Sequence, residues 1–350
     1  ERQLFIVSLT KKHLIFICSI IKNPMMAKNQ FQWTALGIII GLVFLWFSLR
    51  DIDVSSVLDS LMTVRPWLAI MALAAGMLFM LIKAWRWSVI LGPVASIELP
   101  LLHSTIYIGT AANLIIVHSG EVLRAALVGR KSHVPSSAIL ASIGIERIFD
   151  FMVVIVLFGV LLIIDPQLPE YVAAAGFIAI FMVVAGLIAI VSLLVPSKTR
   201  SQLAALITRL LPESLSEMII RQLKRGLVGF SALGSPSIVM NTFLLSILQW
   251  SCIVGSIWLC AASVGYEATF SMAITVWVLM VIGLTLPSSP AQLGTTQLAF
   301  TLGLSLASNE TEIAFAASVV YTCCVNIPYM IIGAICWLRS GGINMQPRKI

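Results

Sequence analysis

Long apolar runs separated by short polar turns set the rhythm of this chain. They cover residues 33–49, 66–82, 136–164, 171–195, 238–264, 270–286 and 312–338. Runs of about 20 apolar residues are what an α-helix needs to cross a hydrocarbon core ~30 Å thick. Strands of a membrane barrel would be shorter and would alternate, whereas these runs are continuous, so the predicted elements are helices. Residues 99–117 differ, because polar and small side chains (His103, Ser104, Thr105, Gly109, Thr110, Asn113) break the run. The polar stretch "HSGEVLR" follows at 118–124. If this region enters and leaves on one side, it forms a re-entrant helical hairpin, tolerated where protein or a water-filled cavity covers its backbone. The expected fold is an all-α polytopic membrane protein of about eight transmembrane helices plus that hairpin. An internal repeat is hinted at by "AILASIGI" from Ala138 and "AFAASVVY" from Ala314, each following a glycine-containing polar break at Gly120 or Gly294. Interrupted segments in two halves of a chain, as in an inverted repeat, point to a transporter site.

Composition agrees with the pattern. The chain is 59% hydrophobic and 11% charged, against about 25% charged in soluble domains. The net charge of +7 reads as membrane topology, since Lys and Arg collect in cytoplasmic loops, and no nucleic-acid partner is expected. The basic segments (83–86, 130–131, 198–225 and the tail) fall on one side and the acidic turns (51–59, 165–170, 267, 310–312) on the other. Both termini are therefore expected in the cytoplasm, with the protein in the cell (inner) membrane. Residues 198–227 carry six basic residues against two acids, an i, i+3, i+4 stripe (Leu203, Leu206, Ile207, Leu210, Leu211) and a capping-box pair, Ser214 and Glu217. They read as a cytoplasmic amphipathic segment against an anionic lipid surface, or as an ordinary solvated loop. Residues 1–25 read as an N-terminal extension, Met25 and Met26 opening a more typical start, and 26–350 as a single transmembrane domain. The six cysteines form no CxxC pair. Most lie in apolar runs as small hydrophobes, so neither a metal nor a cofactor is expected.

The charges inside the apolar runs carry the candidate chemistry. Glu121, Arg124, Glu146, Arg147 and Asp150 would together cost on the order of 12–17 kcal/mol if they faced lipid at mid-depth. They must face protein, water or each other. Glu121 and Arg124 are spaced i, i+3, as are Arg147 and Asp150, while Glu146 and Asp150 share a helix face at i, i+4. Three acids against two arginines give −1, which leaves room for a proton, a mobile cation or a ligand. The cluster is either a fixed ion-pair clasp or a polar cavity handling an ionic head group or protons. Arg147 is expected in an internal pair with Asp150. Arg124, after the break at Gly120, is expected to grip a phosphate by two parallel hydrogen bonds. Lys83 and Arg86, interleaved with Trp85 and Trp87, read as an interfacial belt.

Taken in order, "RW" at Arg86, "N" through "HSGEVLR" (113–124), "ERIFD" (146–150) and "LPSSPAQLGTTQ" (286–297) resemble the flippase-like transmembrane family that includes the membrane domain of lysylphosphatidylglycerol synthase. The resemblance spans about 83–338. It implies translocation of a membrane lipid or a lipid-linked glycan, and adds Asn113, His118, Pro290, Gln292 and Gln297 to the five charged residues as substrate-binding candidates. Two departures bear on substrate charge and proton coupling. Ile116 and His118 stand at the family's Pro and Arg places, and Gln297 stands where the later motif ends in Glu. Nothing resembles the soluble aminoacyl-transferring domain, so no enzymatic activity is expected. The rival readings are a polyprenyl-phosphate-dependent membrane glycosyltransferase, cued by Asp51 and Asp53, and a non-transporting partner of an envelope-synthesis complex.

Overall fold

The computed structural model describes residues 38–50, 52–115, 119–164, 235–283, 290–304 and 310–340, with isolated positions between 174 and 181. The extension at 1–25, the expected span at 171–195, the amphipathic segment at 198–227 and His118 lie outside the described residues. Every element described is helical: α1 (Ile38–Leu49), α2 (Val54–Met62), α3 (Pro66–Leu91), α4 (Leu99–Ile115), α5 (Ser119–Ser132), α6 (Ser136–Ile164), α7 (Pro236–Ser263), α8 (Phe270–Gly283), α9 (Thr295–Leu304) and α10 (Thr311–Arg339). Four of these, α3, α6, α7 and α10, are long and apolar enough to cross a membrane.

Local chemistry sets the helix starts. Pro66 and Pro236 open α3 and α7, where the missing N–H removes a group that would have no intrahelical partner. Asp53 caps α2 by accepting from the Ser55 amide at 3.1 Å, and its carboxylate also accepts from the Ser55 and Ser56 hydroxyls at 2.6 and 2.9 Å. One of the two acids that cued the glycosyltransferase reading, Asp53, is thus engaged as a helix cap, and Asp51 lies outside the described residues.

α3 and α7 run antiparallel, with the Arg65 amide donating to the Ser263 carbonyl at one end and Arg86 meeting Ser246 towards the other. The packing is inside-out relative to a soluble bundle. α7 buries Thr242, Ser246, Gln249, Ser256 and Ser263 while exposing Met240, Leu244, Leu248 and Trp258. α10 likewise exposes Ile327, Ile331, Ile335 and Leu338 along one stripe. Such an exterior is stable only where the surrounding medium is itself apolar.

The predicted hairpin is present. α4 and α5 have 17 and 14 residues, so at 1.5 Å per residue neither crosses ~30 Å alone. Their backbones approach at Gly109 and Gly120, where a Cβ on Gly120 would collide with the Gly109 carbonyl. Small residues permit this closeness. A second short pair, α8 (14 residues) and α9 (10 residues), folds back in the same manner, with Gly283 against Thr295 and Gly303 against Val276. Each hairpin leads into a 29-residue helix, α6 or α10. The two similar octapeptides lie near the starts of those helices, so the hinted repeat is matched by element order.

α10 widens into a π turn at Thr322–Asn326. Pro328 explains it: proline cannot donate to the carbonyl four residues back and its ring crowds that carbonyl, and one extra residue per turn relieves the crowding. The loop before α9 is also unusual, with left-handed backbone at Ala291 (φ 58°), Gln292 (φ 58°) and Gly294 (φ 84°). Asn326 donates to the Ala291 carbonyl at 3.3 Å, tying the two irregular segments together.

Candidate functional site

α6 supplies the centre of the site. Glu146 is ten residues into a 29-residue helix, ~15 Å from its start, and its side chain is fully buried. One carboxylate oxygen accepts from Arg124 of α5 at 2.7 Å, and the other lies 3.5 Å from Arg86 of α3. Arg86, also fully buried, reaches Asp150 at 2.6 Å and donates to the Ser246 hydroxyl at 2.8 Å. The same Asp150 oxygen accepts from the Trp250 indole at 2.9 Å, and its other oxygen lies 3.5 Å from Arg147. Arg147 in turn lies 3.5 Å from Glu121, which accepts from Asn113 at 3.2 Å.

These contacts form one chain of strictly alternating charge, Arg124–Glu146–Arg86–Asp150–Arg147–Glu121. It has a tight end and a loose end. Arg124, Glu146 and Arg86 are buried, and the Arg124 guanidinium lies 4.6 Å from the centre of the Trp87 ring, whose indole donates to Ser142. A cation over an indole face gains further stabilisation where water is absent. At the other end the Arg147 side chain is 37% exposed and both its ion pairs are at 3.5 Å.

The loose end opens on a cavity of about 240 Å³. Lys83, Asn113, Glu121, Arg147, Gln292 and Asn326 give it polar lining. Phe79, Trp250, Trp277, Tyr321 and Tyr329 give it an aromatic wall, with Trp250 and Trp277 centroids 5.4 Å apart. Tyr329 is fixed by its hydroxyl donating to the Gly76 carbonyl at 2.7 Å. The π turn and the left-handed loop both border this space through Asn326 and Gln292.

The sequence-derived candidates sort accordingly. Glu121, Arg147, Asn113 and Gln292 meet at the cavity. Asn113 also stitches the hairpin, its side-chain carbonyl accepting from the Gly120 amide at 2.6 Å. Glu146 and Asp150 sit behind the cavity in the ion chain. Pro290 lies in the turn at Pro290–Gln292. Gln297 is buried and acts as a staple, accepting from the Gly294 amide at 2.7 Å and approaching Thr322 at 3.5 Å.

Three expectations are corrected. Arg124 is a buried partner of Glu146 rather than the residue beside open space, whereas the expected Arg147–Asp150 pair is present at 3.5 Å but Arg147 itself lines the cavity. Glu121 pairs with Arg147 rather than with Arg124, because α5 turns its arginine inward to Glu146. The charge count of −1 omitted α3, since Lys83 and Arg86 are not an interfacial belt. α3 continues to Leu91, which carries Arg86 into the interior and Lys83 to the cavity wall. Three arginines and three acids balance, and Lys83 brings the site to +1. The signal was present in "WSVIL" after "KAWR", an apolar stretch that extends the helix past its charges.

An apolar exterior enclosing buried ion pairs and a polar cavity defines a polytopic α-helical membrane protein with an internal polar site. The family model for the lysylphosphatidylglycerol synthase TM region matches residues 34–333, and the chain belongs to that family. No curated protein matches it.

Proposed function

We propose that the protein translocates a membrane lipid or lipid-linked glycan across the cytoplasmic membrane, its head group held in the cavity beside Arg147 and Lys83. The observation that carries this reading is the polarity gradient of the ion chain: it is sealed at Arg124 and opens at Arg147 onto a space with polar and aromatic lining. A fixed clasp would have no need of a loose, half-open end. The short hairpins α4–α5 and α8–α9 supply interrupted backbone next to the site, which membrane depth tolerates where it lines a cavity. In this reading both termini are cytoplasmic, the segment 198–225 rests on anionic lipid, and the role is transport rather than catalysis.

The test is head-group accessibility in proteoliposomes. Vesicles containing the purified chain and a trace phospholipid with a fluorescent head group are treated with a membrane-impermeant quencher. Translocation predicts loss of nearly all the signal, whereas empty vesicles retain about half. Retention of that half in the protein-containing vesicles would overturn the proposal for that lipid, and repeating the assay with a polyprenyl-phosphate-linked sugar tests the glycan branch.

A further inference from the structure

We infer that α1 and the left-handed loop Ala291–Gly294 form a lateral gate between the cavity and the surrounding lipid; this concerns how the proposed site is reached and rests on the translocase reading. The octapeptides that begin at Ala138 and Ala314 set the two halves of the chain in register. Eight and twelve residues after Ala138, α6 carries Glu146 and Asp150; at the same distances after Ala314, α10 carries Thr322 and Asn326. In the first half these positions form ion pairs, Glu146 with Arg124 at 2.7 Å and Asp150 with Arg86 at 2.6 Å. In the second half they make neutral contacts, Thr322 with Gln297 at 3.5 Å and Asn326 with the Ala291 carbonyl at 3.3 Å. Hydrogen bonds between ionised groups are roughly twice as strong as neutral ones. The second half is therefore the one that yields first.

The loop that Asn326 holds meets the cavity on one side and α1 on the other. Gln292 lines the cavity, and Gly294 lies so close to α1 that a Cβ there would collide with the Gly41 carbonyl. Ala291 and Gln292 both have a φ of 58° without being glycines, a conformation that persists only where the surroundings impose it. α1 is lightly seated on this loop. Of its twelve residues only Gly41 and Ser48 are buried, with Leu45 packed in part against the core, whereas eight of the ten residues of α9 are buried. The Ser48 hydroxyl is used within α1, donating to the Phe44 carbonyl at 2.8 Å. A helix that rests along one narrow seam on a strained loop is the element able to part from its neighbours. Parting removes the wall between the cavity and the acyl chains.

The experiment places spin labels at Leu42→Cys and Leu293→Cys, both exposed beside the seam, in the full chain with its native cysteines replaced by alanine and reconstituted in phospholipid vesicles. Their dipolar coupling reads the separation of α1 from the loop. A control pair at Leu81→Cys and Leu248→Cys, exposed positions of α3 and α7, reads the half held by ion pairs. The gate predicts two separations for the first pair and one for the control. Gly294→Ala, whose Cβ pushes on the Gly41 carbonyl, should raise the population of the larger separation at least twofold. Melting temperature confirms that the variant folds, and if it does not, Asn326→Ala, which releases the Ala291 carbonyl, takes its place with the same expected rise. A single separation for the first pair that neither substitution changes would overturn the gate, and two separations for the control pair alone would assign the motion to the wrong half. Bridging the first pair with a short, reducible bifunctional thiol reagent should slow head-group movement at least tenfold, with recovery on reduction. Unchanged movement in the bridged chain would overturn the gate and keep the translocase; two separations in an unbridged chain that moves no head group would keep the opening seam and sink the translocase.

Discussion

Arg124 and Arg147 have the same side chain and opposite environments. Arg124 pairs at 2.7 Å with a Glu146 that is itself fully buried. Truncating Arg124 leaves Glu146 with only the longer Arg86 contact, and breaking a buried pair in this way costs about 3–5 kcal/mol. Arg124→Ala is expected to melt well below wild type and to express poorly. Arg147 is more than a third exposed and its pairs are long, so Arg147→Gln should cost about 1 kcal/mol or less. Comparable melting temperatures for the two variants, measured in one detergent, would contradict the division of the chain into a sealed and an open end. Five of the six charges of this cluster were legible in the sequence, because charges in apolar runs must find one another, but helical spacing named only one of the pairs that form, Arg147–Asp150. The direction in which each arginine points was not legible. It depends on which face of α5 meets α6, and that is fixed by the close approach of α4 and α5 at Gly109 and Gly120, a contact between segments rather than within one.

The hairpin and the short helices are where element-scale predictions lie. A methyl group on Gly120 meets the Gly109 carbonyl and the Asn113 side chain, so Gly120→Ala should force α4 and α5 apart at a cost of about 1–3 kcal/mol. It should also displace Asn113 and Glu121 at the cavity, reducing both melting temperature and head-group movement. Gly255→Ala, where a Cβ meets nothing within 4 Å, should lower neither. At α2, hydrogen bonds from the Ser55 and Ser56 hydroxyls hold the Asp53 carboxyl below its usual value. A carboxyl lowered by folding stabilises above its unfolded pKa and loses that contribution as pH falls through the lower folded value. The α2 amides should therefore exchange faster only below about pH 4, and Asp53→Asn, which still caps, should abolish much of that dependence. The hairpin and the spans at α3, α6, α7 and α10 were legible in the apolar pattern, with the start of α3 at Pro66, whereas the start of α7 at Pro236 was not. The π turn and the left-handed loop at Ala291–Gly294 were not, because they answer to Pro328 and to the Asn326 contact rather than to any periodicity.

At the scale of the whole molecule, the orientation we propose from the Lys/Arg asymmetry would put residues 168 and 345 on opposite sides of the membrane. Cysteine-accessibility labelling that found both on one side would overturn the proposed orientation. The family and the all-α membrane class were readable from the ordered motifs and apolar runs, whereas the sign of the site's charge was not. Ending the second run at Ile82 left Lys83 and Arg86 outside the membrane; the helix carries them inside and turns an apparent deficit of positive charge into a surplus. The central claim is that the open end of the ion chain handles a lipid head group while its sealed end holds the fold. Head-group translocation by folded Arg147→Gln in proteoliposomes tests it most directly. The account predicts a melting temperature within a few degrees of wild type and at least a tenfold loss of translocation rate; translocation at the wild-type rate would contradict it.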